Sequence, residues 1–178
     1  MDTRKVVVIF DSDGVLLDTA RLIGLVNPRL AKIKDEHPGL WDIARKMTIL
    51  FYADRVCDGR LRAIPGMVET VEIFDSEESK VEKFIVTKRP FVFGAKRRLM
   101  RQLNAVYGEG VFRPENVYSS FFSKNKANVI REKIWQPNMV GVMVDDNLEN
   151  LAGMPEGITP CLFIGDAMGD GPMVVKAP

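Results

Sequence analysis

Asp11 and Asp13 stand one residue apart, directly after the apolar run Val6, Val7, Val8, Ile9, Phe10 and just before Gly14. Carboxylates in such a place either do chemistry or merely end a strand, because Asp and Gly are common strand terminators. The rest of the chain weighs on the choice. Asp145 and Asp146 follow a second apolar run, Val140 to Val144, and Thr87 follows a third, Phe84, Ile85 and Val86. Lys126 opens a helical stretch, with Lys124 close by.

The apolar runs show no alternation, so both faces of each should be buried, as in the central strands of a parallel sheet. In open α/β sheets, ligands bind beyond the carboxyl ends of such strands. The topology therefore gathers Asp11, Asp13, Thr87, Asp145 and Asp146 at one edge. Carboxylates in one pocket repel: a pair ~4 Å apart costs ~4 kcal/mol at an effective dielectric near 20. Protons or a cation must offset that. An all-oxygen donor set without His or Cys points to Mg2+. A carboxylate beside such an ion can also attack phosphorus, forming an aspartyl-phosphate that water cleaves.

The elements that would position these residues alternate between strand and helix. Helices are expected over residues 67–74, 92–107 and 126–135, with a short one around Leu148 and Leu151. Weak strand character falls on residues 117–120, and a last strand on residues 161–164. The expected fold class is α/β, a Rossmann-like parallel sheet flanked by helices. Residues 15–64 carry helical patterns but no convincing strand: Leu22 to Val26, a stretch after Asn27-Pro28, and Ile43, Met47, Leu50 and Phe51 at helical spacing. They read as a small helical insertion, leaving residues 1–14 and 65–178 as the core. The tail from residue 165, rich in Gly, Asp and Pro, reads as loop or frayed terminus.

Composition bounds the rest. The 178 residues, 46% hydrophobic and 28% charged, suit one soluble domain with a small insertion. A net charge of +1 gives no footing for a nucleic-acid or membrane partner. No signal peptide or membrane-length apolar run is visible, and Cys57 and Cys161 have no metal-site spacing, so a cytoplasmic protein with free thiols is expected. The single histidine, His37, sits in a Pro-Gly turn.

The segments FDSDGVLLDT, IVTKRP, the helix start at Lys126 and VMVDDNLEN resemble, in order, the four motifs of the haloacid dehalogenase (HAD) superfamily of phosphohydrolases. The resemblance runs from about Val6 to Ile164. It implies that Asp11 is the nucleophile and a metal ligand. Asp13 would be the general acid and base, its pKa raised by the crowded site, with its main-chain carbonyl on the metal. Thr87 would bond a phosphoryl oxygen, and Lys126 would face the transferring group's charge, with Lys124 the alternative. Asp146 takes the metal-ligand position, Asp145 acts through water, and Asn150 stands where a further Asp is often found. Gly14, Lys88 and Arg89 are candidate substrate contacts. A second glycine-aspartate pattern, Gly165-Asp166 with Asp170, leaves too little chain after it to be the acidic motif.

The resemblance implies a Mg2+-dependent phosphatase acting on the phosphomonoester of a small metabolite, with residues 15–64 as a helical cap. Asp13 argues against a dehalogenase. The alternatives are a nucleotidase or nucleic-acid-end phosphatase using the basic stretch Lys96, Arg97, Arg98 and Arg101, a phosphomutase, or a non-catalytic binding protein. Neither the identity of the substrate nor the oligomeric state is encoded legibly.

Overall fold

The computed structural model describes residues 4–19, 61–75, 81–123, 125–164 and 173–177. The helices expected between residues 22 and 56, and the residues His37, Cys57, Lys124, Asp166 and Asp170, lie outside the described residues. A six-stranded sheet forms the centre, in the order β3-β2-β1-β4-β5-β6. Its strands are β1 (Lys5–Phe10), β2 (Glu82–Thr87), β3 (Val117–Ser119), β4 (Met139–Asp145), β5 (Ile158–Ile164) and β6 (Met173–Lys176). The first five pair in parallel.

The apolar text of β1 is explained by its central place. Successive side chains of a strand point to opposite faces. Val8 and Phe10 accordingly join one core cluster, and Val7 and Ile9 the other. The first face is covered by helix α1 (Met67–Asp75), through Met67 and Val71, and by helix α2 (Ala95–Tyr107), through Leu99, Met100 and Leu103. The second face is covered by helix α3 (Lys126–Lys133), through Val129 and Ile130, together with Leu151 of a short 3-10 turn.

The expected α/β sheet flanked by helices is present, its strands parallel except β6, which runs antiparallel to β5 with Leu162 opposite Val175. Three finer expectations are corrected. The tail is not all loop; its short Met-Val-Val run was hidden among Gly, Asp and Pro. β5 begins at Ile158, ahead of Pro160, whose carbonyl accepts a hydrogen bond from the Ala177 amide at 2.9 Å. Helix α2 begins at Ala95 rather than Val92, because Phe93 and Gly94 lie in the left-handed region (φ 48° and 80°).

The flanks of the expected insertion meet each other. The Asp18 amide donates to the Arg62 carbonyl at 2.9 Å, and Leu17 bridges Ala63 in antiparallel fashion. Val15, Leu16, Leu17 and Leu61 are buried in the same cluster as Phe10. Among the described residues, no helix is long and apolar enough to cross a membrane.

Candidate active site

Register brings the acids together. Phe10 pairs with Val144 across β1 and β4, and the Asp11 amide continues the ladder to the Val144 carbonyl at 2.9 Å. Asp11 and Asp145 thus leave adjacent strands side by side. Lys126, the first residue of α3, reaches between them: its Nζ lies 2.7 Å from Asp11 Oδ2 and 2.6 Å from Asp145 Oδ2. The helix start is fixed by Asn125, whose side chain accepts from the Asn128 amide at 3.0 Å. The lysine is fully buried.

Asp145 is engaged through both oxygens. Oδ2 takes Lys126, while Oδ1 accepts from the Asn147 amide (2.9 Å) and the Asn150 side-chain amide (3.0 Å). Asn150 therefore braces Asp145 through its amino group. Asp146 is exposed and lies against Gly14, where a Cβ would stand 2.2 Å from Asp146 Oδ2. The turn that carries Gly14 is closed by two backbone bonds, Gly14 N–H to Leu17 O (3.0 Å) and Leu17 N–H to Ser12 O (2.8 Å). Asp11, Asp145 and Asp146 each offer an oxygen within 4.8 Å of the others.

Asp13 faces a different cation. The Arg89 guanidinium forks onto it, Nε to Oδ2 at 2.7 Å and Nη2 to Oδ1 at 2.5 Å, while Nη1 donates to Gln102 Oε1 at 3.0 Å. Ser12 Oγ lies 3.0 Å from Asp13 Oδ2 and 2.8 Å from Thr87 Oγ1, and the Arg89 amide donates to Thr87 Oγ1 at 3.1 Å. A hydroxyl has one hydrogen. The Ser12 hydroxyl therefore donates to Asp13 or to Thr87, one at a time. Arg89 is buried and Lys88 exposed.

The electrostatics separate the two N-terminal acids, opposite to expectation. Burial pushes the Asp13 carboxyl up, but the charge and hydrogen bonds of Arg89, with Ser12 helping, outweigh it and hold Asp13 below the usual range. Asp11 is the acid that is raised, to about 7, by burial first and then by Asp145 and Asp13, with Lys126 offsetting only part. Asp146, though exposed as a residue, is also raised, first by the partial desolvation of its carboxyl in the cleft and then by Asp145. Lys126 is lowered by burial but raised more by Asp11 and Asp145, so it stays charged. Among the described residues the four carboxylates share two ion-paired cations, Lys126 and Arg89, so with all four ionised negative charge is in surplus, which the raised Asp11 and Asp146 reflect. The donors are all oxygen, which suits a hard divalent cation.

Every sequence-predicted site residue among the described ones lies on this edge, though not every one where expected. Arg89 is engaged with Asp13. Three participants went unnoticed: Ser12, Asn147 and Gln102. Gln102 left a readable trace, a polar residue inside the apolar stripe of Leu99, Met100 and Leu103.

The fold and site define an α/β protein with an acidic, lysine-anchored cleft at the carboxyl edge of its sheet. No protein-family model matches the sequence, and no curated protein matches it. Solved structures are. The class C acid phosphatase from Bacillus anthracis superposes with a TM-score of 0.54 at 16% identity, over 84% of this chain and 55% of that one. A protein described as a beta-phosphoglucomutase, from Thermotoga maritima, gives 0.50 at 22% identity, over 85% and 83%. One described as a haloacid dehalogenase-like hydrolase, from Burkholderia xenovorans LB400, gives 0.53 at 15% identity, over 89% and 81%. At these identities the likeness is one of fold, and the fold is haloacid dehalogenase-like. The chain spans little more than half the length of the acid phosphatase.

Proposed function

We propose that this chain is a Mg2+-dependent phosphatase that hydrolyses the phosphomonoester of a small metabolite through an aspartyl-phosphate on Asp11. The observation that carries the reading is the convergence of Asp11, Asp145 and Asp146 oxygens within 4.8 Å, anchored by a buried lysine. The names of the solved neighbours, a phosphatase, a phosphomutase and a hydrolase, support it. The basic stretch on α2 gives no reason to prefer a nucleic-acid substrate.

Asp11 and Asp146 would hold the cation with the main-chain carbonyl of Asp13, and Asp145, committed to Lys126, would act through water. The cation would offset the repulsion between an anionic nucleophile and an anionic phosphate. An Asp11 oxygen attacks phosphorus and the bond to the leaving oxygen breaks; that oxygen takes a proton from Asp13. Asp13 then removes a proton from water, whose oxygen attacks phosphorus, freeing the Asp11 carboxylate and inorganic phosphate. In the resting arrangement Asp13 is held as the anion, ready for the second half. An arriving phosphate places negative charge beside it, which favours the protonated form that the first half needs. Lys126 keeps Asp11 and Asp145 in place and leaves positive charge beside the phosphoryl group.

The inserted unit belongs to the same reading. Val15, Leu16, Leu17 and Leu61 pack in the core and the Asp18 amide meets the Arg62 carbonyl, which supports reading the stretch between these flanks as a unit inserted in the core. We place the enzyme in the cytoplasm, where phosphorylated metabolites are found.

The test is phosphate release from sugar phosphates, phosphoglycolate and nucleoside monophosphates, with Mg2+ and with chelator. Release with Mg2+, lost in chelator and lost in Asp11→Asn, is the expected result. No release from any of them with Mg2+ overturns the reading. Conversion of a sugar phosphate without release would make the enzyme a phosphomutase.

A further inference from the structure

We infer that Gln102, on α2, is a positioning residue that sets the Asp13 carboxylate through the Arg89 guanidinium; this rests on the phosphatase reading for the role of Asp13. Gln102 is 2% exposed and lies between Leu99 and Leu103, both fully buried. A buried amide costs free energy unless its hydrogen bonds are made, and an apolar side chain would fill the same space without that cost. Its oxygen has a specific use: it accepts from Arg89 Nη1 at 3.0 Å.

Arg89 is thereby held on two sides. Nη1 is tied to α2, and Nε and Nη2 form the two parallel bonds that fix the plane of the Asp13 carboxylate. The Arg89 backbone is fixed as well, because its carbonyl accepts from Ser119 Oγ at 2.5 Å and its amide donates to Thr87 Oγ1. Gln102 restrains the swing of the guanidinium from the side opposite Asp13. Proton transfer to a leaving oxygen requires the donor in line within hydrogen-bond reach. A rotated Asp13 would therefore slow the first half where the leaving group needs that proton and matter little to that half where it does not, while the second half, which uses Asp13 as base, would slow alike for both.

Leaving groups separate this role from packing. An alkyl phosphate expels an alkoxide that must be protonated, whereas p-nitrophenyl phosphate expels a stable anion. Gln102→Met, close in size but without the acceptor, should lower the rate of leaving-group release in a single turnover on an alkyl phosphate roughly tenfold or more. On p-nitrophenyl phosphate the single-turnover release of p-nitrophenol should change less than about twofold. Gln102→Glu, which restores an acceptor, should recover most of the loss. Equal effects on both substrates, or none on either, overturn the inference. If Gln102→Met does not fold, Arg89→Lys, which keeps the charge and loses the fork, should show the same split. Absence of phosphate release by the unmodified protein from either substrate defeats the phosphatase reading instead. In that event a double-mutant cycle in urea unfolding, Gln102→Met with Asp13→Asn, still decides: non-additive effects are expected, and additive ones overturn the coupling.

Discussion

A Cβ atom at Gly14 would stand 2.2 Å from Asp146 Oδ2, so the turn after β1 and the acid after β4 are fitted to each other with no room for a side chain between them. Gly14 also has a φ of 80°, a region that L side chains adopt at a cost. Gly14→Ala should therefore act twice. The backbone conformation should cost about 1–2 kcal/mol, lowering Tm by roughly 2–8 °C for a chain of this size. The displaced Asp146 carboxylate should raise the Mg2+ concentration for half-maximal activity by about tenfold or more. An unchanged Mg2+ dependence, measured by titration of phosphate release, would show that Asp146 has no part in holding the ion.

Lys126 tests the other half of the cleft. It is the shared cation of two buried carboxylates, at 2.7 Å and 2.6 Å. Removing one partner of a buried pair leaves uncompensated charge, at a cost of about 3–5 kcal/mol. Lys126→Met should lose that much in urea unfolding in the presence of chelator. Adding Asp145→Asn should recover part of the loss, since one orphaned charge is gone, without recovering activity. Simple additivity of the two substitutions would contradict the shared-cation arrangement.

The parts of this cleft that could be read in the sequence are those set by strand ends. β1 has no polar residue from Val6 to Phe10 because Val8 and Phe10 serve one core cluster and Val7 and Ile9 the other. The acid that follows is then placed by register alone. The same holds for Thr87 and Asp145, each the last residue of its strand. What could not be read depends on where a long side chain turns. Arg89, two residues beyond β2, could have faced a substrate or a neighbour; it turns to Asp13, with a glutamine on a different element against its other nitrogen. The charge state of Asp13 follows from that choice, which is why crowding by acids alone predicted the wrong direction. The division of labour between Asp145 and Asp146 was hidden for a similar reason. One side chain turns in to Lys126 and the other out to Gly14, and adjacent identical residues carry no mark of which is which.

The last prediction concerns Asp11, whose burial has a consequence for stability. Its carboxyl titrates at about 7 in the folded protein, against a reference value of 3.8. Between those values the folded state holds a proton that the unfolded state has released, so raising the pH through this window removes stability. The contribution is fully present below pH ~4 and gone above ~7. Asp11→Asn eliminates the titration while leaving Lys126 its bond to Asp145. In chelator the variant should therefore gain on the unmodified protein as pH rises from 5 to 8, with the higher Tm at pH 8. Saturating Mg2+ should narrow or reverse the difference, because a cation favours the carboxylate that only the unmodified protein has. Parallel Tm profiles for the two proteins across that pH range would mean that Asp11 is ionised in the folded state without any cation. The surplus negative charge of the described carboxylates would then be borne by the cleft itself, and the case for a divalent ion would lose its electrostatic basis.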